Sequence, residues 1–277
     1  MTIRCPSPRK TGSARGRTGG SRYGERVPVV AAAVCPHPPL IVPELAGAAA
    51  AELDDLRAAA DAAVAWLLAS APDGPGAAGV RPGDRWIVPP AIGTFRPWGA
   101  DLSVPLPAGP DDARARPDDA PARPDEVPAL PLSLTVGAWL LARHRVRLPV
   151  DAAQVDAGAT PAELASLARQ VHQHRPRLAL LVLGDGSACH GTKAPGYDDP
   201  RAGAYDDGVA RALAGADAEA LLGLDPVLSA RLKVAGRAPW QVLAGAARAA
   251  GGDWHGDLTY HAAPYGVAYF VATWERA

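Results

Sequence analysis

The chain of 277 residues carries a formal net charge of -1, 48% hydrophobic residues and three cysteines. That balance excludes a nucleic-acid or membrane-surface role for the folded body, because such partners demand a strong basic excess. Cys5, Cys35 and Cys189 are too few and too scattered for a disulfide framework, which points to the cytoplasm.

Residues 1–27 hold Arg4, Arg9, Lys10, Arg15, Arg17, Arg22 and Arg26 against Glu25 alone, among Gly, Ser and Thr. A tail so poor in apolar side chains cannot bury enough surface to order itself, so it is expected to be disordered. Residues 28–277 read as a single domain, large enough to bury a full core. Its first element is an apolar strand from Val29 to Val34, which exits into Cys35-Pro36-His37-Pro38-Pro39-Leu40. A helix is expected over 49–70, where Leu53, Leu56, Ala60, Val64, Leu67 and Leu68 recur at helical spacing. Glu52, Asp54, Asp55, Arg57 and Asp61 interrupt this alanine-rich stretch, so it is no membrane span. The Gly- and Pro-rich segment 72–82 reads as a connection to a short strand over 85–88.

Residues 107–131 contain a near-duplicate, Ala115-Arg-Pro-Asp-Asp-Ala-Pro121 followed by Ala122-Arg-Pro-Asp-Glu-Val-Pro128. Two short proline-rich copies without an apolar face cannot stack into a core, and the segment is read as a disordered insertion. A helix is expected over 132–143. Thr160-Pro161-Ala162-Glu163 then supplies a capping box for a helix running to about His174. The uninterrupted apolar run Leu178 to Leu183 suits a strand covered on both faces. Helices over 206–214, 226–233 and 239–250 and two closing strands, around Leu258 and over 266–273, complete an α/β pattern. The expectation is a mixed, mostly parallel sheet sandwiched between helices.

Functional groups gather at two strand exits. His37 leaves the first strand in a proline-stiffened turn and is a candidate metal ligand. The strand at 178–183 opens into Gly184-Asp185-Gly186-Ser187-Ala188-Cys189-His190-Gly191-Thr192-Lys193. This loop offers Asp185, Ser187 and His190 as candidate catalytic groups; equally, Asp185 and Ser187 can serve only to tie the turn. If the two strands run parallel, His37 and this loop share one rim.

The Pro36-His37-Pro38-Pro39-Leu40-Ile41-Val42-Pro43-Glu44 exit, the Gly184-Asp185-Gly186-Ser187 loop, and Gly236-Arg237-Ala238-Pro239-Trp240-Gln241-Val242-Leu243 together resemble the class III extradiol ring-cleavage dioxygenases, B-subunit-like. The chain looks most like the actinobacterial branch and shares pattern with Memo-like proteins, over roughly residues 29–275. The resemblance implies an oxidoreductase in which Fe(II), held by two histidines and a carboxylate, inserts dioxygen into a catechol-like ring. A facial set of three protein ligands leaves adjacent positions for substrate and oxygen. His37 matches the first ligand. No histidine occurs from Pro38 to Arg143, where the second would fall near Val88-Pro89-Pro90-Ala91. Val234-Ala235-Gly236 stands where the third is expected, and no acid occurs from Pro226 to Gly252. Ala188 replaces the family's acid-base histidine, with His190 two residues on.

The resemblance therefore implies a persisting fold with a degenerate iron centre. Two other readings remain open. Cys35, His37, Cys189 and His190 suit zinc if their loops meet. Alternatively, Lys193, Tyr197, Arg237 and Trp240 line a pocket for a small anionic aromatic ligand in a protein that need not be an enzyme. Some of these relatives work as assemblies, so a homo-oligomer completing the site is a further expectation.

Overall fold

A computed structural model describes residues 29–70, 86–87, 89–108, 127–146, 150–174 and 177–277. The basic tail, the 72–82 connection and the duplicated heart of the insertion lie outside these residues. The ends of the insertion are described and pack on the domain. Ala129 bridges Ile92, and the carbonyl of Pro107 accepts from the amide of Val150 at 2.9 Å.

The main sheet is built from β1 (Val29–Cys35), β6 (Leu178–Leu183), β7 (Trp254–Ala262) and β8 (Tyr269–Arg276), in the order β6-β1-β8-β7. β1 runs parallel to β6, whereas β8 is antiparallel to both β1 and β7. The sheet is mixed, as the sequence implies, but one of its pairings is parallel, not most of them. The reason is local: Trp254–Ala262 and Tyr269–Arg276 are joined by a short turn at Pro264–Gly266, and a short connection forces an antiparallel hairpin.

Layers of helices cover both faces. On β6, Leu178, Leu180 and Val182 join one buried cluster while Ala179 and Leu183 join the other, as period-two alternation requires. The first face carries α4 (Pro161–His174), α5 (Ala202–Ala214) and α8 (Arg237–Ala250); the second carries α2 (Asp54–Ser70) and α3 (Leu132–Arg143). Both faces being covered is why β1 and β6 read as unbroken apolar runs. Among the described residues, no helix is long and apolar enough to cross a membrane.

α3, α4 and β6 fall on their expected bounds. At α4, Thr160 and Glu163 close the capping box: the Thr160 amide donates to Glu163 Oε2 at 2.9 Å and the Glu163 amide to Thr160 Oγ1 at 3.3 Å. The helix expected from residue 49 begins later, because Gly47–Leu53 forms a 3-10 turn, preceded by the short α1 (Pro43–Ala46). Asp54 and Asp55 then sit in the first turn of α2, where carboxylates suit the positive end of the helix dipole. β2 (Trp86–Ile87) is the expected short strand, yet it pairs with β5 (Ala152–Ala153) outside the main sheet. The hairpin of β3 (Ile92–Thr94) and β4 (Ser103–Pro105) and the five-residue α6 (Ala218–Leu222) had no periodic signal. α7 (Pro226–Arg231) is capped by Asp225, whose carboxylate accepts from Val227 and Leu228.

Candidate functional site

Parallel pairing of β1 and β6 brings the two strand exits side by side. Cys35 lies opposite Leu183, and the Gly184 amide donates to the Cys35 carbonyl at 3.0 Å. One step further, Asp185 Oδ1 accepts the backbone amide of His37 at 2.8 Å. The same oxygen stands 3.6 Å from His37 Nδ1, too long for a hydrogen bond. Nδ1 is buried without a hydrogen-bond partner, and Nε2 makes no hydrogen bond among the described residues. Burial pushes the Asp185 carboxyl above the usual aspartate range, with His37 partly opposing the shift.

Asp185 also anchors a third segment, since its carbonyl accepts from the Gly236 amide at 2.8 Å. The approach is possible only because glycine stands on both sides. A Cβ on Gly184 would lie 2.6 Å from the Gly236 Cα, and one on Gly236 would lie 2.1 Å from the Trp240 ring. Trp240 is fully buried and packs edge-on against Phe270 at 5.7 Å. It is the floor on which the two glycine turns rest, and this corrects its expected role as a ligand platform. Arg237 is buried as well. Its guanidinium donates to Gln241 Oε1 at 2.8 Å and to the Ala157 carbonyl, clamping the start of α8 to the 157–159 segment.

The second half of the loop is devoted to Asp206, a fully buried carboxylate on α5 that sequence reasoning missed. Asp206 accepts the Ser187 amide at 3.0 Å, the Ser187 hydroxyl, and His190 Nε2 at 2.7 Å. Ser187 is wholly buried with its hydroxyl committed, so it is not presented as a nucleophile. Asp185 faces His37 while Ser187 and His190 face Asp206; the three candidate catalytic residues thus divide between two networks. An acid in the middle of a helix carries no sequence signal of its own, which is why Asp206 was not legible. Lys193 and Tyr197 are exposed, Tyr197 by 78%, and neither lines the cavity that His37 borders.

That cavity measures about 310 Å³ and runs along β6. Its walls are mostly apolar, with Gly137 and Leu141 of α3, Leu167 and Val171 of α4, and Val242 and Leu243 of α8, while Ser133 and the 150–155 segment around β5, with Asp151 and Gln154, add polar groups. His37 borders it, with Nδ1 3.6 Å from Asp185 Oδ1. Gln154, Ala157 and Ala235 are the exposed residues of its lining and mark its mouth.

The donor set does not fit an iron centre held by three protein ligands. Ala235, on the segment where the resemblance expects the third ligand, does reach the cavity, but it brings a methyl group. Ala91 is buried in the core on the α2/α3 face. Among the described residues, no group of three or more His, Cys, Asp or Glu side chains is placed to hold a metal ion. The four-residue zinc set is not assembled either. Cys35 belongs to the buried cluster on the α2/α3 face and Cys189 to the opposite one, its thiol 3.5 Å from the Gly196 and Leu232 carbonyls.

Compared with protein-family models and with curated proteins, the chain matches none.

Proposed function

We propose that this chain is a ligand-binding protein on a class III extradiol dioxygenase-like plan, and that it holds a small, largely apolar molecule in the cavity beside β6 without cleaving a ring. The observation that carries this reading is a mostly apolar cavity of about 310 Å³ with one imidazole at its border and few polar groups in its lining, Ser133, Asp151 and Gln154 among them. The His37 side chain makes no hydrogen bond among the described residues, which leaves its ring nitrogens for a hydroxyl on the occupant. Apolar walls with few, placed polar groups are the usual composition of a small-molecule site. Ring cleavage on Fe(II) needs three protein ligands, and among the described residues no three His, Cys, Asp or Glu side chains are placed to supply them. Buried free thiols at Cys35 and Cys189 suit the expected cytoplasmic location.

The test is calorimetric titration with 2-naphthol, which combines an apolar body and one hydroxyl, beside an assay for catechol and protocatechuate cleavage in the presence of Fe(II). Expected are saturable binding, about tenfold weaker binding in His37→Ala for a lost hydrogen bond of roughly 1.4 kcal/mol, and no cleavage product. Catechol turnover with stoichiometric iron would restore the oxidoreductase reading. Failure of 2-naphthol to bind would end the present one.

A further inference from the structure

β6 is the outermost strand of the main sheet on its side, and β5 across the cavity does not pair with it. Because Gly184 points its amide at Cys35, period-two alternation turns Val182, Leu180 and Leu178 toward β1 as well. Ala179, Leu181 and Leu183 therefore aim their N–H and C=O groups outward. None of these groups has a hydrogen-bond partner among the described residues. Side chains at 180 and 182 go to one face of the sheet and those at 181 and 183 to the other, yet all four residues line the one cavity. The cavity must then wrap the edge of the strand, between the helical layers. It occupies the place of the next strand in a sheet covered on both faces.

We infer that the ligand class of this cavity is a short, extended, uncharged peptide segment that pairs with the open edge of β6. The inference rests on the reading that the cavity beside β6 binds a ligand. A hydrocarbon would fill the space and leave the backbone groups of Ala179, Leu181 and Leu183 buried and unpaired. An extended peptide instead repeats its own donor and acceptor every second residue, about 6.6–6.8 Å apart, in step with those three residues. Strand addition of this kind takes its affinity from main-chain bonds and its selectivity from the walls that meet alternate side chains. Here both walls are mainly aliphatic, Gly137 and Leu141 on one side and Leu167 and Val242 on the other, with Ser133, Asp151 and Gln154 also in the lining. Alternate side chains of the guest would accordingly be small and apolar on both faces, as in a buried parallel strand.

The experiment uses the full chain and three probes: acetyl-Ala-Val-Ala-amide, the same peptide N-methylated at valine and alanine, and 2-naphthol. Binding is followed by calorimetry and by hydrogen exchange of the Leu181 and Leu183 amides in leucine-labelled protein. Expected are competition between the unmethylated peptide and 2-naphthol, binding at least tenfold weaker after N-methylation, and at least tenfold slower exchange at Leu181 and Leu183 in the complex. Ala235→Trp, at the exposed mouth, should abolish binding of both probes. Equal affinity of the methylated peptide, or 2-naphthol binding without peptide binding, overturns strand addition and leaves the cavity reading standing. Amides of Leu181 and Leu183 already protected in the free protein overturn it too. If 2-naphthol does not bind, the cavity reading itself falls and takes this inference with it.

Discussion

The two halves of the loop that follows β6 treat their polar groups in opposite ways. From Ser187 onward, each buried donor beside Asp206 is matched: an amide, a hydroxyl and an imidazole converge on one carboxylate. Upstream, His37 Nδ1 is buried without a partner, and the outer edge of β6 faces a cavity with the backbone groups of Ala179, Leu181 and Leu183 unpaired among the described residues. Folding alone favours the first arrangement, since an unsatisfied buried polar group costs about 1–3 kcal/mol. Chemically suggestive residues sit in both halves, so hydrogen-bond satisfaction, not residue type, separates the closed half from the half to which the proposed ligand is assigned.

The largest expected effect lies in the closed half. Asp206→Ala strands the Ser187 amide, the Ser187 hydroxyl and His190 in a region where Asp206 is 1% exposed. Breaking such a buried network costs about 3–5 kcal/mol, read as a shift in the urea midpoint. His37→Ala, whose side chain makes no hydrogen bond, should cost less than about 1 kcal/mol by the same measurement. If the two losses were equal, the contrast between the halves would be wrong.

Gly236→Ala comes next. The backbone there is ordinary helical, φ -83° and ψ -16°, so its cost is steric alone: a Cβ placed 2.1 Å from the Trp240 ring. Overpacking of this kind costs about 1–3 kcal/mol. Trp240→Leu in the same chain should recover part of it, a coupling that a double-mutant cycle measures directly. Absence of coupling would mean that Trp240 is not the floor beneath the glycine turns.

These contacts also explain what the sequence could reveal. α3, α4 and β6 were legible because an apolar period, a capping box and an uninterrupted run each have one economical solution. Adjacency of His37 and the Gly184 loop followed from a single parallel pairing. A sequence shows that an indole or guanidinium is available, not that the Trp240 indole lies buried beneath two glycine turns or that a carbonyl 80 residues away has claimed Arg237. Asp206 was invisible for the same reason in reverse. β5 and the β3–β4 hairpin are two- and three-residue strands, too short to show any period. The cavity itself is a product of what does not pair with β6, and no local pattern encodes that.

A smaller effect sharpens the contrast from the open half. Burial raises the Asp185 carboxyl above its ordinary 3.8, so the folded state holds that proton more tightly than the unfolded chain. Its contribution is favourable below about pH 3.8 and is lost as pH rises through the raised value. Asp185→Asn keeps an oxygen for the His37 amide without the buried charge. The variant should gain stability relative to the parent between pH 4 and pH 7, measured as paired melting temperatures. A constant difference across that range would place Asp185 in solvent and remove its hold on His37.

Thr160→Ala provides a small change and a reference for the larger ones. The hydroxyl accepts the Glu163 amide at 3.3 Å and donates to Glu163 Oε2 at 2.9 Å, at the exposed start of α4. Loss of such a cap costs about 1 kcal/mol. α4 also supplies Leu167 and Val171 to the cavity wall, two turns further along the same helix. If that wall is set by packing against α8, the variant should melt slightly earlier and bind 2-naphthol with unchanged affinity. Weaker binding at equal folded fraction would show that the cavity depends on the fraying of α4, and the open half would then be a property of helix dynamics as well as of the unpaired edge of β6.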